Sequence, residues 1–381
     1  MRKQLLTICL LPISIVAFSQ TTVSIPDDAF EAYMETTYAA NIVPDGSTTD
    51  GSITFSDINL IEDIDLSAVG TVADLTGVSS FVRLKNLYCQ DNVITGTVDL
   101  TGLDRLTNLY CYNNPGLTGV DVTGCVKLYH VKAYDCAITS IDFSVATLNA
   151  GADPTRLRYV YVNNNALTSI NVSGNTGIWR LDVYNNNLTS IDITGFTTLT
   201  HLRFQNNDIS GDIDVSANTG LGILGTYNND NLASIDLGDI PYTNFTYFKT
   251  SSSDNLNCII SDNPTDFEPG GALETAIGTN YSVDAFTNFV PDMATCNTLS
   301  VSESQGLQFQ LYPNPSSNFV TVHVANNAIY EFVNVKGQVL LKGTLSSGSN
   351  SIDVSSLSSG MYFMNVQTNS GYSTVEKFIK N

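Results

Sequence analysis

The sequence predicts a mainly β protein, in which a solenoid of about eight regular coils is followed by a small β-sandwich. The first observation is an internal repeat between residues 157 and 193, where Leu157, Val160, Val162, Asn165 and Leu167 have equivalents 21 residues later. A fixed period of this length indicates a chain wound into stacked coils. The second observation is a change of pattern after residue 309, where short alternating strands separated by Gly turns replace the repeat.

Composition narrows the function classes. The 381 residues include 37 acidic and 16 basic ones, for a net charge of −21. Nucleic acids and anionic membrane surfaces select for clustered Lys and Arg, so neither is an expected partner. Residues 1–19 have a basic start, an apolar run from Leu5 to Phe18 and a small-x-small end at Ala17 to Ser19, which together predict an export signal. No later apolar run has the length of a transmembrane segment, and we expect an exported protein that can form disulfides.

Residues 20–83 are predicted to form an N-terminal cap with irregular repeats. A short helix over residues 25–38 would bury Phe30, Tyr33 and Met34 and cover the first coil. Residues Asp50 to Asp57 resemble the second half of a calcium-binding loop. The first and third ligand positions would be Gly46 and Thr48, which lack carboxylates, so a structural turn is favoured over a calcium site.

The regular coils occupy residues 84–260, and each reads L-x-x-L-x-(apolar)-x-x-N. Alternation over the first seven positions predicts a short strand, and the stacked strands would form one parallel sheet, which we call the concave sheet. An inward Asn then satisfies backbone groups where the chain turns. The coils begin at Leu84, Leu106, Leu128, Leu157, Ile178, Leu199 and Leu221, with a degenerate coil at Phe245. This Asn ladder comprises Asn92, Asn114, Asn165, Asn186, Asn207 and Asn229, with Cys136 and Ser253 in the remaining coils.

A second extended segment returns on the opposite side of each coil, with an acid between two inward apolar residues, as in Ile191-Asp192-Ile193. We interpret this file of acids as a solvated edge that discourages aggregation, rather than as a cation site. The third coil carries an insertion at residues 144–156, which would lie on one rim. Cys89 and Cys111 occupy matching inward sites, where packed thiols are favoured over a bridge.

Residues 261–298 are predicted to form a C-terminal cap, in which Cys258 bonds to Cys296, and residues 299–308 form a linker. With its repeat of L-x-x-L-x-C-x-x-N-x-L-T-x-(I/L)-D-V-S, the array resembles secreted bacterial leucine-rich repeat proteins. This resemblance implies a leucine-rich repeat solenoid but no particular ligand.

Residues 309–381 contain a set of motif residues in a fixed order, namely Tyr312, Pro313, Asn314, Pro315, Gly337, Gly360, Tyr362 and Lys377. With these motifs, the segment resembles the C-terminal sorting domain, or Por secretion tail, of the type IX secretion system. The resemblance implies transfer across the outer membrane by that machinery and removal of the tail by a sortase-like peptidase. It also implies release of the protein or attachment to the cell surface; a permanent adhesive module is the less favoured alternative.

Catalytic constellations are not apparent in the sequence. It shows no Ser-His-Asp grouping, phosphate loop or zinc motif. His130 and His201 lie on strands three coils apart, about 15 Å if the strands pair, which is too far to share a metal. We therefore expect a protein that is not an enzyme and uses no cofactor or metal.

The outward side of the concave sheet is the remaining candidate site, because Tyr and basic residues concentrate there. Exposed Tyr and Arg commonly dominate binding interfaces, although Tyr also favours strands and cross-strand stacking. The candidate ligand-binding residues are Tyr88, Tyr110, Tyr112, His130, Lys132, Tyr134, Tyr159, Tyr161, Arg180, Asp182, Tyr184, His201, Arg203, Tyr227 and Tyr247. We expect them to bind a protein, peptide or glycan. A self-associating surface component is the alternative, and a cryptic hydrolase is a third, less favoured class.

Overall fold

The computed structural model describes residues 20–44, 49–144, 156–301, 310–324, 327–368 and 373–381. The chain divides into two compact units, residues 1–296 and 297–381. The export signal at 1–19, Gly46 and Thr48 of the calcium-like loop and most of the third-coil insertion lie outside the described residues. Within the described ranges, no helix is long and apolar enough to span a membrane.

The N-terminal cap contains the predicted short helix and a strand pair that was not predicted. Strand Thr21–Ser24 pairs antiparallel with Ser52–Phe55, and the helix spans Asp28–Thr37. Asp27 caps the helix by accepting a hydrogen bond from the Phe30 amide at 2.8 Å. The predicted helix residues Phe30 and Met34 are fully buried, and Tyr33 packs against the same core. Three short 3-10 helices follow at Ala39–Asn41, Ile58–Leu60 and Val78–Ser80.

Acidic residues of the calcium-like segment bond to backbone amides. Asp50 accepts from the Ser52 amide at 3.1 Å, and Asp57 accepts from the Asn59 amide at 3.0 Å. The buried Glu31 carboxylate also accepts from the amides of Gly51 and Ser52, each at 3.1 Å. These contacts give the segment the geometry of a structural turn.

The concave sheet is a single parallel sheet of ten strands in sequential order. Equivalent positions of successive coils pair directly, as when Tyr159 pairs with Arg180 and Arg180 pairs with His201. This arrangement confirms the predicted solenoid. Its strands are Asp63–Asp65, Asn86–Tyr88, Asn108–Tyr110, His130–Lys132, Tyr159–Tyr161, Arg180–Asp182, His201–Arg203, Ile223–Gly225, Tyr247–Lys249 and Tyr281–Ser282.

The opposite side of the solenoid forms three short parallel sheets rather than one continuous sheet. The first pairs Thr95–Asp99 with Gly116–Asp121, and the second pairs Ser140–Asp142 with Ser169–Asn171. The third contains Gly211–Asp214, Leu232–Asp236, Cys258–Ile260 and Asn288–Val290. The acids of these segments accept hydrogen bonds from the amide two residues later, as Asp121 does from Thr123 at 2.9 Å. Residues 191–193 form no strand, but Asp192 accepts in the same way from Thr194 at 2.9 Å. This bond lowers the pKa of Asp192 and shows that the acid file fixes each turn, a role that the sequence interpretation missed.

Apolar side chains of each coil fill the space between the two sides. In the coil that begins at Ile178, the side chains of Ile178, Leu181, Val183 and Leu188 are fully buried. Burying one such side chain contributes roughly 1.5–3 kcal/mol relative to exposure. A single coil cannot bury these side chains alone, so each coil depends on its neighbours.

The inward Asn ladder satisfies backbone groups of two coils at once. Asn186 Nδ2 donates to the carbonyls of Val162 at 3.0 Å and Val183 at 2.9 Å, while its Oδ1 accepts from the Leu167 amide at 3.0 Å. Asn114 makes equivalent bonds to Cys89, Cys111 and Ile94. The predicted structural role of the ladder is thus confirmed.

Cys136 and Ser253 replace Asn where the preceding coil has one additional residue after its own ladder Asn. In those preceding coils, the amides of Leu117 and Leu232 bond to the carbonyls of Asn114 and Asn229, at 3.0 and 3.1 Å. The amide that would need an Asn acceptor in the next coil is therefore already satisfied. This accounts for both exceptions to the repeat.

A second, exposed ladder precedes the inward one by a single residue and was not predicted. Its members have φ between +54° and +59°, a left-handed conformation that Asn and Asp tolerate better than most residues. Their side chains bond from coil to coil, as Asn185 Nδ2 does to Asn164 Oδ1 at 2.5 Å. The ladder comprises Asp91, Asn113, Asp135, Asn164, Asn185, Asn206, Asn228 and Ser252.

The C-terminal cap adds a strand to each side of the solenoid, since Tyr281–Ser282 pairs with Tyr247–Lys249 and Asn288–Val290 pairs with Cys258–Ile260. Helices Pro264–Phe267 and Ala272–Ile277 and the 3-10 turns Tyr242–Asn244 and Gly278–Asn280 surround these strands. The predicted disulfide between Cys258 and Cys296 is present. Cys89 and Cys111 are free and buried, as predicted. A helix at Met293–Val301 extends into the predicted linker, whose residues 302–308 lie outside the described ranges.

The second unit is a β-sandwich of two antiparallel sheets, as predicted. The three-stranded sheet contains Gln310–Tyr312, Phe319–Val324 and Gly348–Asp353, and the four-stranded sheet contains Ala328–Asn334, Val339–Leu345, Gly360–Thr368 and Ser373–Lys380. Val320 and Val322 of one sheet pack with Phe332, Met364 and Phe378 of the other in one buried cluster.

Candidate ligand-binding face

The outward residues of the concave sheet form three files across the coils, because neighbouring strands pair without a shift in register. Alternate residues of a strand project to the same side. Within one coil, the files hold the third, fifth and seventh residues, such as Arg180, Asp182 and Tyr184. The files therefore place side chains from different coils beside one another at the strand spacing of about 4.8 Å.

Aromatic rings pack together across the first four coils. The ring centroid of Tyr110 lies 5.0 Å from those of both Tyr88 and His130, and His130 lies 5.2 Å from Tyr159 and 5.5 Å from Tyr161. Such contacts stabilise each pair by about 0.5–1.5 kcal/mol beyond burial of area. The rings are half-buried, so they retain exposed surface for a ligand.

Basic side chains lie over these rings. Lys132 Nζ is 4.4 Å from the centroid of Tyr110, and the Arg180 guanidinium is 4.7 Å from that of Tyr161. Arg203 and Lys249 both lie over Tyr247, at 5.1 and 5.4 Å. Cation–π contacts of this kind hold the charged groups in fixed positions on the face.

A depression of about 330 Å³ lies on this face between the third and fifth coils. Tyr134 and Tyr184 occupy the seventh position of the flanking coils, and the smaller Asn163 occupies the same position between them. Tyr134 is stacked on its other side against Tyr112, with centroids 4.5 Å apart and planes 7° apart. The lining residues are Lys132, Tyr134, Asp135, Tyr161, Asn163, Asn164, Arg180, Asp182 and Tyr184.

Asp182 is the most deeply buried polar group of the depression, with 2% of its surface exposed. Its Oδ2 accepts two hydrogen bonds from Arg180, at 2.9 Å from Nε and 2.7 Å from the terminal nitrogen. Its Oδ1 has no hydrogen-bond partner among the described residues. An unpaired buried carboxylate oxygen is costly, so a hydrogen-bond donor from a ligand that reaches this atom would be stabilised.

Burial shifts the protonation of the face toward neutral side chains. Desolvation, aided by the charge of Lys132, lowers the pKa of His130 to about 4, and its Nδ1 is 2.9 Å from the Tyr110 hydroxyl. Desolvation also raises the pKa of Tyr184, and raises that of Tyr134 to about 12. Near neutral pH the tyrosines keep their hydroxyl protons and can both donate and accept hydrogen bonds.

The structure brings most of the predicted site residues onto one face, but with less exposure than expected. The tyrosine, histidine and basic residues of the set are half-buried, and Asp182 is buried because Arg180 of the same strand packs over it. Six residues of the predicted set line the depression, namely Lys132, Tyr134, Tyr161, Arg180, Asp182 and Tyr184, and the other nine do not.

Sequence reasoning missed Asn163, Asp135 and Asn164 as lining residues, and it missed Trp179 beside the face. Trp179 is the single tryptophan of the chain and is 41% exposed. Its ring is 6.1 Å from that of Tyr159, and Arg158 lies over it at 5.0 Å. Asp135 and Asn164 could have been found from the sequence, because each directly precedes a position of the inward ladder.

Sorting-motif residues of the second unit hold its ends together. Asn314 Nδ2 donates to the Lys377 carbonyl at 2.6 Å, and its Oδ1 accepts from the Ile379 amide at 2.9 Å. Gly337 adopts φ of +79° in the turn between two strands, which favours glycine. The Tyr362 hydroxyl donates to the Ser358 carbonyl at 2.8 Å. Motifs distant in sequence thus form one packed terminus.

Comparison with known proteins gives a family match for the C-terminal residues. Residues 310–381 match the family model described as a secretion system C-terminal sorting domain. Among solved structures, the functional domain of InlJ from Listeria monocytogenes is 14% identical, with a TM-score of 0.29, 95% of this chain covered and 99% of that chain. Internalin C2 from Listeria monocytogenes is 24% identical, with a TM-score of 0.38, 57% of this chain covered and 88% of that chain. Comparison with curated proteins gives no match.

The assignment of the first unit rests on its own stacked coils, with their repeated strand, inward apolar residues and Asn ladder. The second unit matches the family model over residues 310–381. The chain is therefore an exported leucine-rich repeat protein whose residues 310–381 belong to the secretion system C-terminal sorting domain family.

Proposed function

We propose that this protein binds an extracellular protein, peptide or glycan on the concave sheet after export. The observation that carries the proposal is the depression, which is lined by three tyrosines and by a buried carboxylate whose Oδ1 has no hydrogen-bond partner within the described ranges. Half-buried aromatic residues with fixed basic neighbours supply large contact area at a low cost in side-chain entropy. We propose binding rather than catalysis, because His130 and His201 are separated by two intervening strands.

The type IX secretion system handles the sorting tail, and we propose that a sortase-like peptidase removes it during export. The mature protein would then be released or attached to the cell surface. Mass spectrometry of the exported protein tests this proposal, because removal predicts that peptides from residues 310–381 are missing from it. Recovery of those peptides in the exported form would contradict removal.

An array of extracellular glycans and proteins, probed with the full chain, tests the binding proposal. We expect the double substitution of Tyr161→Ala and Tyr184→Ala to weaken capture about 30-fold, since truncating a central aromatic contact costs roughly 2 kcal/mol or more. Tyr242→Ala is the control, because Tyr242 is half-buried in a 3-10 turn outside the concave sheet. All variants should remain folded and unfold in a cooperative transition, measured by Trp179 fluorescence.

Equal capture by the wild type and the double variant would contradict ligand binding on this face. Light scattering of the wild type and the same variants measures their oligomeric state and so tests the self-association alternative. If the wild type forms oligomers that the double variant does not form, the face binds a second copy of the chain and not a separate ligand.

A further inference from the structure

Tyr134 and Tyr184 both line the depression, and we call the space between their rings the slot. Strands two apart in the sheet are separated by about 9.6 Å, twice the spacing of neighbours. Tyr134 and Tyr184 each lie two residues beyond the end of such a strand, and the buried Asn163 holds the same coil position between them, where its side chain is smaller than the tyrosine that would complete the file. Tyr112 and Tyr134, by contrast, hold this position in adjacent coils and stack against each other.

The slot offers both donors and acceptors around these rings. Asp182 Oδ1 is a buried acceptor without a partner among the described residues. Arg180 uses two N–H groups on Asp182, and its guanidinium has five in all, so further donors remain beside that acceptor. Two cationic side chains, Lys132 and Arg180, are balanced by the carboxylates of Asp135 and Asp182. A ligand that matches this lining is uncharged, carries adjacent hydroxyl groups and has a ring with apolar faces.

A peptide matches the slot less well. An extended peptide usually binds a sheet through a free edge, but the strands that form the slot are hydrogen-bonded on both sides. A charged polymer also matches less well, because the lining contains both cationic and anionic side chains and would repel either sign of charge in part. A pyranose ring, in contrast, can stack on tyrosine faces while its hydroxyls donate to a carboxylate and accept from a guanidinium.

We propose that the slot between Tyr134 and Tyr184 is a subsite for one neutral pyranose unit of a glycan, with Asp182 Oδ1 accepting from a sugar hydroxyl and Arg180 donating to an adjacent one. This inference rests on the proposed function and narrows its ligand to neutral carbohydrate. The raised pKa values of Tyr134 and Tyr184 are consistent with it, because both hydroxyls then remain protonated above neutral pH.

The full chain can be titrated with neutral oligosaccharides of glucose, mannose, xylose and N-acetylglucosamine, with polygalacturonate as the charged comparison. Calorimetry measures affinity, and Trp179 fluorescence reports binding near the slot. Asn163→Tyr fills the slot and extends the tyrosine file, so it should abolish sugar binding while the chain stays folded. Asp182→Asn should weaken binding about tenfold or more, as for loss of a hydrogen bond to a charged group. Gln90→Ala, at the same coil position outside the slot, should leave the affinity unchanged.

The outcomes separate the two proposals. Binding of a neutral oligosaccharide that Asn163→Tyr abolishes and Gln90→Ala preserves supports the inference. Capture of a protein or peptide that is lost with Tyr161→Ala and Tyr184→Ala, without binding of any neutral oligosaccharide, overturns the sugar subsite but leaves the binding face standing. Sugar binding that Asn163→Tyr does not affect overturns the subsite as placed here. If neither ligand class depends on the face, both proposals fail.

Discussion

Three consecutive asparagines in the fifth coil perform different tasks, and their substitution gives a stringent test of the solenoid. Asn185 belongs to the exposed left-handed ladder, Asn186 belongs to the inward ladder, and Asn187 is exposed beyond both. The three residues are identical in chemistry and adjacent in sequence. Differences among their alanine variants therefore report only on position in the coil.

Asn186→Ala removes the acceptor of the buried Leu167 amide and a donor to two carbonyls. An unsatisfied buried amide costs about 1–3 kcal/mol, and with the two carbonyl contacts we expect a total loss of about 2–4 kcal/mol. Asn185→Ala should cost about 1–2 kcal/mol, because alanine is strained in a left-handed conformation. Asn185→Gly should cost less than that, because glycine tolerates positive φ. Asn187→Ala should stay within about 0.5 kcal/mol of wild type.

Urea unfolding followed by Trp179 fluorescence measures these differences. The single tryptophan lies in the same coil as the three asparagines, so its signal reports on the solenoid and not on the sorting tail. Hydrogen exchange of a peptide that contains Leu167 provides a second, local readout. Similar losses for Asn186→Ala and Asn187→Ala, or unchanged exchange at Leu167 in Asn186→Ala, would refute the assignment of backbone satisfaction to the inward ladder.

Three further perturbations follow from individual contacts. Because desolvation lowers the pKa of His130 to about 4, the unfolded chain binds a proton that the folded chain does not between about pH 6.5 and 4. The free energy of unfolding should therefore decrease as the pH is lowered through that window. Unfolding measured at each pH should show a smaller decrease in His130→Gln. Replacing Cys258 and Cys296 by serine should cost about 4 kcal/mol for their separation of 38 residues, and a variant that melts like wild type would contradict this. Asn314→Ala should destabilise the sorting tail by about 1–2 kcal/mol, seen as faster proteolysis of residues 310–381 than of the solenoid; equal proteolysis of Asn314→Ala and wild type would contradict this.

The repeat made most of the solenoid predictable, because each inward position must satisfy the same packing and hydrogen-bonding demands in every coil. Leu181, Asn186 and Leu188 could be placed from their spacing alone, and all three are buried. The left-handed ladder was missed because positive φ values leave no periodic pattern of apolar residues in the sequence, although Asn and Asp recur at these positions. The replacement of Asn by Cys136 also required structure, since it depends on where the Leu117 amide bonds.

The candidate site was less predictable, because the repeat shows which side chains point to the concave face but not how deeply each one is buried. Asp182 and Lys132 occupy equivalent outward positions, yet Asp182 is buried and Lys132 is half-buried. The difference arises from Arg180, which packs over the Tyr161 ring and bonds to Asp182 within the same strand. Such contacts depend on the particular residues of neighbouring coils, which the repeat leaves free to vary.

Free variation at these positions also accounts for the location of the slot. A file of tyrosines on successive strands would close by stacking, as Tyr112 and Tyr134 do, and would present a flat surface. One small residue in the file, Asn163, keeps Tyr134 and Tyr184 from stacking into a continuous row. The scaffold therefore supplies the spacing through its paired strands, the small Asn163 leaves a recess in the tyrosine file, and Arg180 and Asp182 of the next coil supply its polar groups.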